Sequence, residues 1–386
     1  MNINIYGSTG RIGILSLKIL DKNFQNIKIN LLTANNNYIK LIEQSKIYKP
    51  KYIYLANEKK IKYLKNKIDK KIKILNYKDL IKYLSSSHSD LSLLAISGYN
   101  SLNYLKEILQ NTNNLGLVNK ECVVSAGHLF KKMKSKYKVK IFPLDSEHFS
   151  ISHNMKKFNH KNIRKVYITA SGGPFFERNI KTFDKILLSE ATSHPKWKMG
   201  YKNSIDSATL ANKCLEIIEA KYLFDIPFNK IGVVIHPESL VHSIVENINF
   251  TSVYNYFYHD MFIPIFNFFN FFTPSNKKEN INKNFLIDFK NDMKLNFHEV
   301  SLNRYPIYKI FQNLDKSDTS NLIKFNCANE YAVDLFKSGV IKFNEISESI
   351  QFFLSLEFNY PVNSINSIIE FQKKYVKKIR SINLDL

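Results

Sequence analysis

Within the run YKNSIDSATLANKCLEIIE, from Tyr201 to Glu219, stand a hydroxyl at Ser207, an amide at Asn212, an ammonium at Lys213 and a carboxylate at Glu216. Read as helix, the run puts Asn212 and Glu216, four apart, on one face with Lys213 beside them, while Leu210, Leu215 and Ile218 alternate with these polar groups. A phosphate takes hydrogen bonds from hydroxyls and amides and charge from one cation. Ser207, Asn212 and Lys213 are therefore candidate phosphate ligands, together with Ser171 in SGGPF and His194 in the loop before the run. Taken singly, Ser207 also fits a helix N-cap. The combination points to an enzyme that holds a phosphorylated substrate beside a cation.

The acidic residues Asp145 and Glu147 flank Ser146 in FPLDSEH. On an extended segment alternate side chains face one way, so the two carboxylates converge. Hard oxygen ligands suit Mg²⁺ or Mn²⁺, and Glu216 is the natural third. Alone, such acids are ordinary surface charges; His148, Ser150 and the nearby Gly-rich turns set them apart. HPKWKMG carries the chain's one tryptophan, Trp197, between Pro195 and Gly200. Such a loop closes over a ligand and excludes water, or the ring simply packs. His236 and His242 in HPESLVHS share a face if the segment is extended, and neither is assigned to metal.

After the first apolar run comes GSTGRIG, with Gly7, Gly10 and Gly13 at a strand-to-helix turn. Backbone N–H groups there approach a pyrophosphate and the helix N-terminus adds partial positive charge; a tight structural turn is the alternative. Following the second run, Thr33, Ala34, Asn35, Asn36 and Asn37 contain no acid, which favours NADP over NAD, although asparagines also form plain turns. Asn119, Lys120 and Glu121 in VNKE stand at a strand's carboxyl end, facing nicotinamide and substrate or simply solvated.

The elements that must position these groups follow from periodicity. Short apolar runs at 3–6, 27–32, 52–55, 72–75, 91–96 and 115–118 alternate with helical patterns such as 12–20 and 39–44, the signature of βαβ units and a parallel sheet. Motif-dense turns set between strands begin at Lys140, a polar stretch follows Phe272, and helical patterns resume at about Ser301. The expected organisation is α/β: a Rossmann-like parallel-sheet domain at 1–139, a central α+β catalytic domain with a flexible lid loop at 140–272, a linker at 273–300 and a C-terminal helical bundle at 301–386.

Across 386 residues, 44% hydrophobic and 13% aromatic content argues for packed domains, not disorder. The formal charge of +23 would suit nucleic acid or anionic metabolites. The basic residues form no single block, so the excess reads as a composition-wide bias and nucleic acid is not expected as a partner. The three cysteines, Cys122, Cys214 and Cys327, form no CxxC pair, which argues against a disulfide framework and for a reducing compartment. A strand-like pattern from Ile3 leaves no room for a targeting peptide, and the apolar stretch 261–272 is too short to span a bilayer. A soluble cytoplasmic protein without membrane partners is expected.

Taken in order, GSTGRIG, NKE, DSEH, SGGPF, HPKWKMG, DSATLANKCLE, HPESLVHS and CANE resemble the 1-deoxy-D-xylulose 5-phosphate reductoisomerase family, with a likeness running from Met1 to about Phe336. The resemblance implies an NADPH- and Mg²⁺- or Mn²⁺-dependent homodimer of the non-mevalonate isoprenoid pathway. It would convert 1-deoxy-D-xylulose 5-phosphate to 2-C-methyl-D-erythritol 4-phosphate by skeletal rearrangement and hydride reduction. It implies metal ligands Asp145, Glu147 and Glu216, and phosphate ligands Ser171, Ser207, Asn212 and Lys213 with His194. Ser146 and Lys120 would meet the reacting end, with Lys120, Glu147 and His242 the catalytic set. Trp197 and Met199 would belong to the lid. The cofactor would contact Gly7, Ser8, Thr9, Gly10, Arg11 and Ile12, then Ala34, Asn35 and Asn36, then Asn119, Lys120 and Glu121, with Met199 and Gly200. Departures from the family pattern are Phe149 and Ser150 after DSEH, Leu210 and Ala211 before Asn212, Cys214 after Lys213, and Asn36 in place of a lysine that serves the NADP phosphate. The competing readings are another NADP-dependent dehydrogenase, which would need a catalytic cysteine or a different acid/base pattern and no metal, and a basic nucleic-acid-binding protein.

Overall fold

The structure, a computed structural model, describes residues 1–194, 196–197, 200–274, 285–286 and 293–382. Pro195, Met199 and most of the expected 273–300 linker lie outside the described residues. The chain forms two compact units.

The first unit comprises Met1–Cys122, Phe130–Phe149 and Asp260–Leu286. Its strands are β1 (Asn2–Tyr6), β2 (Lys28–Ala34), β3 (Tyr52–Leu55), β4 (Lys73–Leu75), β5 (Ser89–Leu94), β6 (Thr112–Leu117) and β7 (Lys140–Pro143). They form one seven-stranded sheet in the order β4-β3-β2-β1-β5-β6-β7, and every neighbouring pair is parallel. Parallel strands covered on both faces need continuous apolar runs, and Ile3, Ile5, Leu32, Ile53, Leu91 and Leu93 are buried accordingly. The chain winds outward in one direction from β1 through β4 and in the other from β5 through β7. That reversal beside β1 is where open α/β sheets bind ligands.

The apolar stretch near 261–272 is the helix Phe262–Phe272, and it belongs to this unit. Ile265, Phe268 and Phe269 are buried in the core that holds Phe24 and Leu144, with Phe24 centroids 5.2 Å from Phe266 and 5.7 Å from Phe269. Gly116 on β6 makes room for Phe268, whose ring would lie 3.0 Å from any Cβ there. The boundary read at Lys140 therefore falls inside this unit, one strand before its edge.

The second unit comprises Val123–Leu129, Ser150–His259 and Ile287–Leu386. Its strands β8 (Ile163–Ala170), β9 (Ile231–Ile235), β10 (Val241–Asn247) and β11 (Ser252–Tyr256) form a mixed sheet in the order β11-β10-β8-β9. β8 and β9 run parallel, and β10 is antiparallel to both β8 and β11. Helices Pro306–Asn313, Thr319–Lys337, Glu345–Ser355 and Ile365–Arg380 complete this unit. The observed class is the expected one: a parallel-sheet α/β region, a mixed α+β region and a helical C-terminal region. Among the described residues no helix is long and apolar enough to cross a membrane.

Three local expectations are corrected. Asp145 and Glu147 do not lie on an extended segment: the helix Ser146–Met155 starts between them, and Phe149 N–H donates to the Asp145 carbonyl at 2.8 Å. His236 and His242 do not share one strand, because a turn with Ser239 at φ +55° separates β9 from β10. The run from Tyr201 is two helices, Tyr201–Ala208 and Ala211–Phe224, broken at Leu210 with φ +66°. Ser207 is consequently in the last turn of one helix and does not cap the next.

Candidate active site

In the first unit, Gly7 closes β1 at φ +84°, and a Cβ there would lie 2.6 Å from the Ala95 carbonyl oxygen. At Gly13 a Cβ would meet the Gly7 oxygen and Ser8 Cα at 2.5 Å, so the first helix, Arg11–Asn23, packs this closely against the turn because Gly13 has no side chain. Gly7 N–H donates to Thr33 Oγ1 at 3.0 Å and Ser8 N–H to the Thr33 carbonyl at 2.8 Å. Ser8 Oγ lies 2.8 Å from Gln44 Oε1, and Gln44 Nε2 donates back to the Ser8 carbonyl at 2.8 Å. Ser8 is thus buried and shapes the turn, while Gly10 and Arg11 are exposed at the helix N-terminus and Thr9 and Ile12 are half-buried. Past β2, Ala34 is buried and Asn35, Asn36 and Asn37 are exposed. Asn37 caps the helix Tyr38–Tyr48 by accepting from Lys40 N–H at 3.0 Å, as a plain turn former would.

At the other side of the switch, Asn119 caps the helix Lys120–Lys136. Its Oδ1 accepts from Cys122 N–H at 2.8 Å and Ser101 Oγ at 3.0 Å, and its Nδ2 donates to the Ile96 and Gly98 carbonyls at 2.5 and 2.9 Å. The Asn119 amide is therefore a tie between the ends of β5 and β6, with Glu121 Oε2 3.1 Å from it. Because β6 and β7 are sheet neighbours, the residues beyond their ends meet. Lys120 Nζ lies 2.9 Å from Asp145 Oδ2, both side chains nearly buried. Ser146 Oγ donates to Glu147 Oε2 at 2.5 Å, and His148 Nδ1 is 3.5 Å from Asp145 Oδ1.

In the second unit the SGG turn after β8 and the helix Tyr201–Ala208 form one polar cradle. Gly173, at φ +69°, lies so close to the helix end that a Cβ would be 2.8 Å from Ala208 Cα. His194 Nε2 lies 3.0 Å from Ser171 Oγ and 3.1 Å from Ser207 Oγ. His194 Nδ1 accepts from the N–H groups of Lys196 and Trp197 at 3.1 and 2.9 Å, which places the imidazole proton on Nε2 between the two hydroxyls. On the next helix, Asn212 Nδ2 donates to Glu216 Oε1, and Lys213 Nζ donates to Glu216 Oε2 at 2.7 Å. Lys213 is 6% and Glu216 1% exposed, so this is a desolvated ion pair with a second hydrogen bond, not a solvated helix face.

Trp197 presents its edge to His242 and to His259, at 6.2 and 5.8 Å between centroids. His242 is buried on β10, stacked at 4.0 Å on Phe257, with Nε2 3.1 Å from the Phe257 carbonyl. His236 sits elsewhere, its Nδ1 2.8 Å from the Asn296 carbonyl. Gly200, exposed, precedes the helix Tyr201–Ala208.

Sequence reasoning missed the groups that brace this cradle. Tyr305 O–H donates to the Gly172 carbonyl at 2.8 Å, and Arg304 Nη1 donates to the carbonyls of Phe175 and Arg178 at 2.6 and 2.7 Å. Asp206, beside Ser207 and 1% exposed, accepts from Asn329 Nδ2 at 2.8 Å and pairs with Lys202 at 2.7 Å. Asp206 opens the DSATLANKCLE motif and Asn329 lies in CANE, whereas Arg304 and Tyr305 belong to no motif read from the sequence.

Comparison with known proteins accounts for this arrangement. Sequence models match for 1-deoxy-D-xylulose 5-phosphate reductoisomerase over residues 3–127, for its C-terminal domain over 141–224, and for the DXP reductoisomerase C-terminal domain over 258–378. The reductoisomerase of Pelagibacter ubique (strain HTCC1062) is 39% identical over 356 residues, covering 90% of this chain and 89% of its own. The chain belongs to the 1-deoxy-D-xylulose 5-phosphate reductoisomerase family. The reductoisomerase of Sulfurihydrogenibium sp. (strain YO3AOP1) is 37% identical over 370 residues, covering 95% of this chain and 93% of its own. Among solved structures, DOX-P reductoisomerase in complex with NADPH, fosmidomycin and magnesium matches at TM-score 0.83 and 29% identity, over 99% of this chain and 98% of that one. The reductoisomerase from Zymomonas mobilis in complex with NADPH matches at TM-score 0.89 and 26% identity, over 100% and 99%.

Two departures from the reductoisomerase pattern now have physical accounts. Ser150 Oγ accepts from Ser243 Oγ at 2.8 Å, so the residue after Phe149 ties its helix to β10. Cys214 is buried, and burial, with Asp206 nearby, holds its thiol well above the ordinary range; it packs and is no nucleophile.

Proposed function

We propose that this chain converts 1-deoxy-D-xylulose 5-phosphate to 2-C-methyl-D-erythritol 4-phosphate with NADPH and a divalent cation, as a step of isoprenoid synthesis. The observation that carries the reading is the cradle in which His194 bridges Ser171 and Ser207, built in a chain whose family membership extends over nine-tenths of its length.

Asp145, Glu147 and Glu216 hold the cation, Mg²⁺ or Mn²⁺. The donor set fits such an ion, being hard carboxylate oxygens without thiolate or imidazole. The turn at Gly7, Gly10 and Gly13 fits a pyrophosphate, with Gly10 and Arg11 exposed at the N-terminus of the first helix. When bound, the cation supplies positive charge to substrate oxygens on which negative charge develops, and NADPH supplies the hydride.

The chain's own residues bind and orient. Ser171, Ser207, Asn212 and Lys213 receive the substrate phosphate, with the His194 Nε2 proton directed at the hydroxyl pair. Anchoring this remote group restricts the reacting carbons to few orientations, so weakening the anchor lowers turnover as well as affinity. Lys120 and Ser146 meet the reacting end, where the Lys120 ammonium donates to oxygen. Trp197 covers the substrate and excludes water, and His242 lines the wall beside the indole.

A homodimer in the cytoplasm is the assembly and compartment proposed for the enzyme. One assay tests the activity: loss of the near-ultraviolet absorbance of NADPH on adding the pentulose phosphate, with and without Mg²⁺ or Mn²⁺. Turnover that needs both substrate and cation is expected. Purified protein that consumes no NADPH under either condition would refute the proposal.

A further inference from the structure

A dinucleotide fold distinguishes NADPH from NADH at the carboxyl end of its second strand, where a cation rewards the ribose 2′-phosphate and a carboxylate rewards the bare hydroxyl. In this chain the segment Thr33–Asn37 holds neither. The structure brings a cation to it from another strand.

β2 and β3 pair in parallel from Leu31↔Tyr52 to Ala34↔Leu55, and the pairing continues past both strand ends. Ala56 N–H donates to the Ala34 carbonyl at 2.9 Å and Asn57 N–H to the Asn35 carbonyl at 3.0 Å. Asn57 Nδ2 donates to Asn36 Oδ1 at 2.7 Å. The short helix Glu58–Lys60 is thereby laid beside the asparagine loop, and Lys60 Nζ comes to 3.4 Å from the Asn36 carbonyl oxygen. The same ammonium lies 5.7 Å from the centroid of the Tyr38 ring, which stacks on Tyr63 at 5.1 Å. An ammonium has three donors, of which the Asn36 carbonyl takes one. Lys60 is half-buried, so its charge is less screened than that of the exposed Lys59 beside it. Lys40, on the helix after the loop, is paired with Glu43 at 2.8 Å, and Arg11 stands at the first helix, by the pyrophosphate turn.

We propose that Lys60 is the residue that recognises the 2′-phosphate of NADPH, replacing from the turn after β3 a cation that the loop after β2 lacks. The proposal rests on the NADPH reading of the preceding section, and binding measurements separate the two. Calorimetric titration of the full chain with NADPH and with NADH, without substrate, reads both affinities independently of turnover. The unsubstituted protein is expected to prefer NADPH. Lys60→Gln is expected to lose roughly tenfold in NADPH affinity, the scale of one charge-assisted hydrogen bond, with NADH affinity within about twofold of its original value. Lys60→Arg should restore most of the preference, and Lys59→Gln should leave it intact.

A Lys60→Gln protein that keeps the full NADPH preference would overturn the assignment. Equal loss for both dinucleotides would overturn it too, because it would show that Lys60 merely shapes the loop. Absence of any preference in the unsubstituted protein would remove the NADPH reading itself.

Discussion

Glu147 and Glu216 are already engaged by neighbours, Glu147 with the Ser146 hydroxyl and Glu216 with Asn212 and Lys213. Substituting Gln keeps shape and a carbonyl acceptor while removing charge. If these side chains hold the cation, Glu147→Gln should fold normally and lose at least roughly 100-fold in turnover. Near-normal turnover in saturating Mg²⁺ would contradict the assignment. The cysteines lead to a pH prediction. Cys122, Cys214 and Cys327 are buried, and burial raises the Cys214 and Cys327 thiols well above their ordinary range. A folded-state pKa above the unfolded one leaves stability intact below about pH 8.5 and erodes it as pH climbs further. Denaturant midpoints taken at rising pH should show that decline, and a thiol reagent should modify the denatured chain long before the native one. Ser171, His194, Asn212 and Lys213, the proposed phosphate ligands, could be singled out because each sits in a motif dense in polar groups. Tyr305 carried no such signal, since it acts through a hydrogen bond to a residue 133 positions away.

Among elements, six of the seven parallel strands were readable to within a few residues from their apolar runs, while β7 reads as the start of the next domain. The break at Leu210 was not readable. Leu has no preference for a left-handed backbone, so nothing at position 210 itself announces the break. Two substitutions test how elements are held. Gly13→Ala drives a methyl into backbone atoms at 2.5 Å, and should destabilise the fold by about 1–3 kcal/mol while weakening dinucleotide binding, seen as a lower Tm and a larger Kd for NADPH. Tyr305→Phe deletes one hydroxyl from beneath the SGG turn. It should raise KM for the sugar phosphate several-fold with KM for NADPH unchanged; equal changes in both would make the hydroxyl merely structural.

For the whole molecule, the excess of 56 basic over 33 acidic residues has a use that requires no nucleic acid. Substrate and cofactor are both anionic, and a cationic surface raises their encounter rate in a salt-dependent way. The second-order rate constant kcat/KM should therefore fall several-fold between about 20 and about 200 mM salt, with kcat itself little changed; a flat profile would make the charge bias irrelevant to catalysis. The division into a sheet-rich beginning and a helical end was visible in the sequence. Its one misleading stretch was 262–272, whose phenylalanines announce burial without saying under which sheet. Since Ile265, Phe268 and Phe269 complete the core around Phe24 and Leu144, a nascent chain emerging from the ribosome has translated β1 to β7 well before the helix that covers them exists. Until residue 272 clears the exit tunnel, that sheet carries an uncovered greasy patch, the kind of surface on which chaperones act. A fragment cut after residue 149 should accordingly precipitate unless the helix is supplied in trans.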